Sequence, residues 1–485
     1  MRFQQIIFTA LLVTVQGVAA VRPASSDLLP VTSGSPQARK LFEQGMANLE
    51  TMHPERALSN FQSAVQKNRN FAQALIMVAY LTRDPGEEVT SFTKAKHLMP
   101  YVSPGERLLV RWLSGVREDE YLPAIGAMND LLTLYSSDPR VMFLAGNWLL
   151  RQQRYEQAEF VLETGIALHP NYPPIIDQLA RAYAFNGNFK KAFSLMDRYM
   201  ELQPKQPAVH DCYAEISRMA GDFQGALAHY GEALKLDRQF ISSQVGIADT
   251  YALMGDQQRA RQEYAKALNI PDSGNDRFEI EMQSATTFVR EHRFVEADQA
   301  FRAVADGAHK AGNSFVEAEA LCAMAMYEPR FATAAQDLEK ASMAVNQTAV
   351  MSKSALNEER AHILEIQAIR AVHSGMDDVA TKVLGELASA ADTSHSAAIA
   401  RFSDAAQGAF LMQHAEYAKA IPHLEGDVSN PLSLELLWQA FDKTGAKAES
   451  QALVSRMAVL NRPTVEQALT QPEFRVSLNR AVQQP

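Results

Sequence analysis

The sequence predicts an all-α protein built as a solenoid of antiparallel helix pairs. No run of alternating β-branched residues occurs that would predict strands. Small residues instead recur in the middle of the chain at a constant interval of 34 positions. They are Ala158, Ala192, Ala226 and Ala260, with Gly146, Ala180, Ala214 and Ala248 each twelve positions earlier. A period of this length is typical of stacked helical repeats, because one helix pair alone cannot bury its apolar stripe.

The unit of residues 173–206 illustrates the predicted pair. Its first helix carries Leu179 and Tyr183 on one face, four positions apart. Gly187 suits the left-handed conformation that ends a helix, and Asn188 suits the N-cap of the next helix. The second helix then shows an apolar stripe at Ala192, Met196 and Tyr199. Each unit is therefore predicted to be two helices joined by a short turn.

This pattern resembles the tetratricopeptide repeat family. In unit 173–206 the matching residues are Leu179-Ala180, Tyr183, Ala192, Met196 and Pro204. In the next two units they are Tyr213-Ala214, Ala226, Tyr230 and Ala233, then Ile247-Ala248, Tyr251, Ala260, Tyr264 and Ala267. The resemblance implies a right-handed superhelical solenoid whose first helices line a concave face and whose second helices line the convex face.

The pattern divides the chain into six predicted parts. They are a signal peptide (1–20), a flexible linker (21–35), partly divergent N-terminal repeats (36–138), four regular 34-residue units (139–274), longer helical repeats (275–463) and a C-terminal cap or tail (464–485). Within the N-terminal repeats the match loosens over residues 72–138. That region is predicted to be either a divergent repeat pair or a functional insertion.

The N-terminal residues predict export. A short positive start is followed by an apolar stretch at residues 6–15 and by the small residues Val18-Ala19-Ala20, a pattern typical of a secretory signal. The expected location is therefore the periplasm, the cell envelope or the medium. An uncleaved anchor is the alternative, and it would make the chain an accessory subunit of a membrane complex. No later segment is long and apolar enough to span a membrane.

The composition of the chain limits the classes of function that it can have. The chain has 485 residues and 47% of them are hydrophobic, more than one compact core would accommodate, whereas a solenoid avoids that limit. The net charge of −10 without a basic block argues against nucleic-acid binding. Cys212 and Cys322 lie about three units apart, so we expect two buried free thiols rather than a disulfide.

Recognised catalytic and metal-binding motifs are absent from the sequence. It contains no phosphate-binding loop, no His-Glu-x-x-His, no Cys-x-x-Cys and no Gly-x-Ser-x-Gly. Acidic residues between Asp272 and Glu279 do not match the standard calcium loop. We therefore predict a non-enzymatic protein without cofactor or metal. A glycan-binding or glycan-processing helical array is a less favoured alternative, which paired carboxylates in one cleft would support.

The resemblance implies that a protein or peptide partner binds the concave face. The predicted function is thus a protein-interaction scaffold or assembly factor. The candidate binding residues are Phe143, Asn147, Arg151, Asp177, Arg181, Phe185, Asp211, Glu215, Arg218 and Asp249. The same stripe also fits a solvated inner face on which Arg181 pairs with Glu215 or Asp177. If the stripe binds the partner, reversing the charges of Arg181 and Glu215 together should weaken capture and leave melting unchanged.

Overall fold

The computed structural model describes residues 28–82, 84–270, 276–347, 351–457 and 461–470, and within them it contains α-helices and no strand. This confirms the predicted all-α solenoid. The helices are α1 (Pro36–Glu50), α2 (Pro54–Lys67), α3 (Ala72–Leu81), α4 (Pro85–Leu98), α5 (Pro104–Arg117), α6 (Tyr121–Leu134), α7 (Pro139–Arg151), α8 (Tyr155–Leu168), α9 (Pro173–Phe185), α10 (Phe189–Leu202), α11 (Pro207–Met219), α12 (Phe223–Leu236), α13 (Ile241–Met254), α14 (Gln257–Leu268), α15 (Arg277–Arg290), α16 (Phe294–Lys310), α17 (Ser314–Tyr327), α18 (Phe331–Gln347), α19 (Lys353–His373), α20 (Asp377–Ser394), α21 (Ala397–Gln413), α22 (Tyr417–Leu424), α23 (Pro431–Thr444), α24 (Lys447–Met457) and α25 (Val465–Leu469).

Helices α1 to α24 form twelve successive antiparallel pairs, and the tight turn within a pair repeats regularly. Gly187, Gly221 and Gly255 adopt positive φ in these turns, as the sequence predicted for Gly187. Gln153 and Asp119 occupy the same position 34 and 68 residues before Gly187, also with positive φ. The regular geometry therefore includes the α5–α6 pair. Its turn is hard to recognise in the sequence because a non-glycine residue takes the left-handed conformation.

The repeated small residues lie where two helices touch. Ala158 and Ala192 are completely buried. A Cβ atom added to Gly146 would lie 2.5 Å from Cδ2 of Leu162, which belongs to the second helix of the same pair. The spacing seen in the sequence is thus a packing requirement, because a larger side chain would push the two helices apart.

First helices of neighbouring pairs contact one another and form the inner layer. The contacts of α7 with α9, of α9 with α11 and of α19 with α21 are examples. Among the described residues, each second helix from α8 to α16 contacts the first helices that precede and follow it. The inner surface of the solenoid is therefore built from first helices, in agreement with the resemblance.

The solenoid curves until pairs that are distant in sequence meet. The Asp119 carboxylate accepts hydrogen bonds from Nδ2 of Asn357 at 2.7 Å and from Oγ of Ser394 at 2.6 Å. The Tyr121 hydroxyl donates to Oε1 of Glu358 at 2.5 Å. These contacts join Asp119, in the turn between α5 and α6, and Tyr121, at the start of α6, to the tenth helix pair. Their partners are on α19 and at Ser394, the last residue of α20. Nearest-neighbour stacking alone does not produce such contacts.

The described part of the predicted linker, residues 28–35, packs on the repeats and differs from the flexible chain that its composition predicted. The backbone N–H of Leu29 donates to Oδ2 of Asp138 at 2.7 Å. Nε2 of Gln73 donates to the carbonyl oxygen of Pro30 at 3.0 Å. Polar partners on α3 and at the start of α7 thus order this segment, because they satisfy its backbone groups.

Other sequence predictions concern residues outside the described ranges. The predicted signal peptide, residues 21–27 of the linker, Asp272 with its neighbours up to residue 275, and residues 471–485 all lie outside them. None of the described helices combines the length and apolar character needed to cross a membrane. Cys212 and Cys322 are buried free thiols, as expected.

Candidate functional site

The ten candidate binding residues all lie on the first helices of the four regular units. Phe143, Asn147 and Arg151 are on α7, Asp177, Arg181 and Phe185 on α9, Asp211, Glu215 and Arg218 on α11, and Asp249 on α13. The inner surface that these helices form is covered by other parts of the chain. The candidate residues consequently make contacts within the protein.

Arg181 is the centre of a partly buried ionic network. Its Nε lies 3.2 Å from Oδ1 of Asp177, its Nη1 donates to Glu215, and its Nη2 lies 3.2 Å from Sγ of Cys212. Met52, in the turn between α1 and α2, covers this group, with its Sδ 3.4 Å from Sγ of Cys212. Burial would lower the pKa of Arg181, but the charges of Asp177 and Glu215 hold it well above its ordinary value. Arg181 thus pairs with both acids that the sequence proposed as alternatives.

The α7 part of the stripe is covered by α3. The Tyr80 hydroxyl donates to Oδ1 of Asn147 at 3.2 Å, and the Arg151 guanidinium lies 5.9 Å from the centroid of the Tyr80 ring. Phe143 is 6% exposed. Among these three residues, Arg151 alone is exposed.

Two of the three aspartates of the stripe, Asp211 and Asp249, are buried and hydrogen-bonded. Oδ1 of Asp211 accepts from Oγ of Ser243 at 2.6 Å, and Oδ1 of Asp249 accepts from the Tyr264 hydroxyl at 2.6 Å. Burial raises the pKa of Asp211 to about 6 and also raises the pKa of Asp249. Asp211 therefore links two neighbouring helix pairs through α11 and α13, and Asp249 links the two helices of the α13–α14 pair.

The raised pKa of Asp211 predicts that this residue makes the fold less stable as the pH rises. Between about pH 4 and pH 6 the folded Asp211 binds a proton that the unfolded chain does not, so its contribution to stability decreases as pH increases, by at most about 1.4 kcal/mol per pH unit. Asp211→Asn keeps an acceptor for Ser243 and should remove this slope. Urea unfolding of both proteins at pH 4, 5, 6 and 7 measures it. Parallel pH profiles would contradict the assignment.

A C-terminal segment of the chain, residues 461–470, lies on the inner surface. Nη1 of Arg218 donates to the carbonyl oxygen of Asn461 at 3.0 Å. Nδ2 of Asn461 donates to the carbonyl oxygen of Met219 at 3.1 Å. The Arg462 guanidinium lies 4.7 Å from the centroid of the Phe185 ring. Two of the candidate residues, Arg218 and Phe185, thus bind a peptide segment of the same chain.

The short helix α25 anchors this segment further along the solenoid. Nη2 of Arg290 donates to Oε1 of Gln467 at 3.0 Å. Ala468 is completely buried in an apolar cluster, and α25 contacts α15 and α23. From the sequence, residues 464–485 were predicted only to be a cap or tail. A signal for α25 was present: Thr464 is followed three positions later by Gln467, and Val465, Ala468 and Leu469 have helical spacing.

A cavity of about 870 Å³ remains on the inner surface of the C-terminal half. First helices α17, α19, α21 and α23 contribute to its wall, and α25 lies at its edge. Its aromatic residues are Phe294, Tyr327, Phe402, Tyr417 and Trp438, and its charged residues include Glu365, Glu435, Arg370 and Lys443. Burial raises the pKa of Glu365 well above its ordinary value. Aromatic walls with a few charged groups are typical of a binding site.

Comparison with known families agrees with the repeat geometry. A family model described as tetratricopeptide repeat matches residues 149–216, which include the end of α7, α8, α9, α10 and most of α11. Residues 149–216 thus carry tetratricopeptide repeats. The matched residues lie inside the four regular units of residues 139–274 and include six of the ten candidate residues.

Several solved structures are similar to this chain. The Cut9–Hcn1 hetero-tetramer of the APC/C is 12% identical, with 89% of this chain and 76% of that chain covered and a TM-score of 0.40. A tetratricopeptide repeat protein from Parabacteroides merdae ATCC 43184 is 13% identical, with 56% and 93% covered and a TM-score of 0.35. PilW, a type IV pilus biogenesis factor, is 14% identical, with 50% and 97% covered and a TM-score of 0.30. No curated protein sequence matches the chain.

Proposed function

We propose that this tetratricopeptide repeat protein is a non-enzymatic scaffold that binds a polypeptide partner on its inner surface. One observation carries the proposal: residues 461–470 of the chain already lie on that surface, held by Arg218, Phe185 and Arg290. A surface that binds one peptide segment through backbone and side-chain contacts has the chemistry to bind another.

The C-terminal half offers the more accessible part of this surface. In the regular units the inner side chains are largely engaged by α3, by the turn after α1 and by the C-terminal segment. The cavity between α17 and α23 instead exposes aromatic rings to solvent-filled space. We therefore place the partner site in this cavity and along the path of residues 461–470.

The resident segment suggests the chemistry of the partner. It combines an extended stretch, in which Arg462 lies against an aromatic ring, with the short helix α25, whose apolar side faces the repeats. A partner of the same type would be an extended peptide followed by an amphipathic turn of helix, because such a peptide satisfies both the polar and the apolar contacts.

We also propose that the protein acts outside the cytoplasm, in the periplasm or cell envelope. This rests on the signal pattern of residues 1–20 alone. Sequencing the N-terminus of the protein recovered from its cells tests it. A chain that starts near Val21 would support export with cleavage, and a retained N-terminus would favour the membrane-anchored accessory subunit.

Site-specific photocrosslinking in the producing cells tests the scaffold function. A photoreactive amino acid at Gln413, which is exposed and lines the cavity, should crosslink one or a few proteins. The matched control is Met343, 47% exposed on the second helix α18 of the same half, which should crosslink none of them. Equal yields from both positions, or none from Gln413, would contradict the proposal.

The cavity also favours a second candidate, a glycan ligand. Trp438, Tyr327 and Phe402 offer aromatic faces, and Glu365 and Glu435 offer carboxyl groups in the same cavity. Rings and hydrogen-bonding groups together suit the apolar and hydroxyl faces of a sugar. In the crosslinking experiment this candidate predicts no crosslinked protein from Gln413, so one measurement separates the two functions.

A further inference from the structure

Two pairs of potential metal ligands lie on neighbouring first helices. Glu319 and Cys322 are three positions apart on α17, and Glu359 and His362 are three positions apart on α19. Positions i and i+3 of a helix lie on the same face. Because α17 and α19 contact each other, the four side chains can meet between them.

The structure brings three of these groups to one point. The thiol sulfur of Cys322, a carboxylate oxygen of Glu359 and a ring nitrogen of His362 all lie within 4.8 Å of one another. Nδ1 of His362 lies 3.3 Å from Oε1 of Glu319. Glu319 thus holds the imidazole ring of His362 in place, as carboxylates commonly do for histidines that bind a metal.

The environment of this cluster indicates that one carboxyl oxygen of Glu359 lacks a partner among the described residues. Glu359 is 3% exposed and Cys322 is 1% exposed. Oε1 of Glu359 is fully buried and accepts no hydrogen bond from any described residue. An unsatisfied buried carboxylate oxygen is costly, and a bound cation would satisfy it.

We propose that Cys322, Glu359 and His362 form a binding site for a transition-metal ion, with zinc as the preferred ion. One sulfur, one nitrogen and one oxygen ligand suit the borderline character of Zn²⁺, whereas Ca²⁺ and Mg²⁺ require oxygen ligands. Three protein ligands leave the fourth position of a tetrahedral ion for water or a partner group.

Only small side-chain movements are needed to bring the three ligand atoms to the distances that a bound zinc ion requires. At ordinary zinc bond lengths, ligand atoms around a tetrahedral ion lie roughly 3.3–3.8 Å apart, against the present limit of 4.8 Å. His362 lines the 870 Å³ cavity, which gives the ion a route from solvent. Binding forms Zn–S, Zn–O and Zn–N bonds, and any proton on those atoms is released to solvent.

A metal titration of the full chain tests this site. After removal of bound metal with a chelator, the wild-type protein should bind one Zn²⁺ per chain in competition with a chromophoric chelator. Cobalt(II) in the same site should give the thiolate charge-transfer band that a cysteine ligand produces. We expect Cys322→Ser, Glu359→Gln and His362→Gln each to weaken zinc binding by at least about tenfold, and Glu319→Gln by roughly tenfold.

The chain supplies two matched controls. Cys212→Ser changes the other buried cysteine, and His309→Gln changes another histidine that lies beside a glutamate, Glu317, at 3.0 Å. Neither should change the zinc affinity or the cobalt spectrum. Glu359→Gln is nearly isosteric and keeps the test valid if Cys322→Ser unfolds. Absence of stoichiometric zinc binding, or unchanged binding in folded Glu359→Gln and His362→Gln, would overturn the proposal.

Discussion

Replacing Arg181 by alanine is expected to lower the free energy of unfolding by about 3 kcal/mol. The change leaves Asp177 and Glu215 close together without their shared cation, and it removes the guanidinium that lies against Cys212. Urea unfolding monitored by circular dichroism measures the loss, because the midpoint falls with stability when the slope is unchanged. The effect is large because removing one member of a partly buried ionic network leaves the other charged groups without a partner.

The control for Arg181 is Arg330→Ala. Arg330 is 76% exposed and pairs with Glu328 two positions away, so its loss should change stability by less than about 0.5 kcal/mol. A loss below 1 kcal/mol for Arg181→Ala would contradict the network.

The structure also changes the expectation for reversing the charges of Arg181 and Glu215 together. A glutamate at position 181 would face Asp177, so the melting temperature would not stay unchanged.

Placing a charge under α25 should release residues 461–470 from the inner surface. Ala468 is completely buried, so Ala468→Arg forces a long cation into an apolar cluster and displaces the helix. A labelled peptide with the wild-type sequence of residues 461–470, added to the variant, should then bind at least about tenfold more tightly than to the wild-type chain. The reason is that the chain's own segment competes with the added peptide. If the segment occupies the surface in nine chains of ten, the apparent affinity of the wild-type chain for the peptide is tenfold weaker.

The matched control for this experiment is Ala452→Arg, the same substitution at an exposed position of α24. It should leave peptide binding at the wild-type level. Equal peptide affinity of Ala468→Arg and the wild-type chain, with the circular dichroism spectrum preserved, would mean that the segment does not occupy the surface in solution. Limited proteolysis gives a second readout, because a released segment is cleaved faster.

The sequence predicted the helix pairs well because their stabilising contacts are local. Ala158 and Ala192 touch helices close to them in sequence, so the 34-residue period of the structure is also a period of the sequence. The α5–α6 unit was harder to recognise, because Asp119 takes the turn position that glycine takes in later units. A left-handed aspartate is held there by tertiary contacts that composition does not report.

The candidate site was predictable only in part. Helical periodicity placed the candidate residues on first helices, but it could not predict what covers them. Arg218 and Asn461 are 243 positions apart in sequence, and such a contact leaves no periodic pattern. The same holds for the cluster of Cys322, Glu359 and His362, since two short i, i+3 pairs become informative only when their helices are known to touch.

The hydrogen bonds of Asp119 with Asn357 and Ser394 bear on how this chain folds and comes apart. An open array of repeats frays from its ends, since each end unit has one neighbour. Here the turn of the third helix pair is tied to residues 238 and 275 positions later, so the units that carry these residues cannot unfold independently of each other. Such ties raise the average sequence separation of contacts, which slows folding. We therefore regard this chain as a cooperative ring-like body, whose units unfold together instead of one after another.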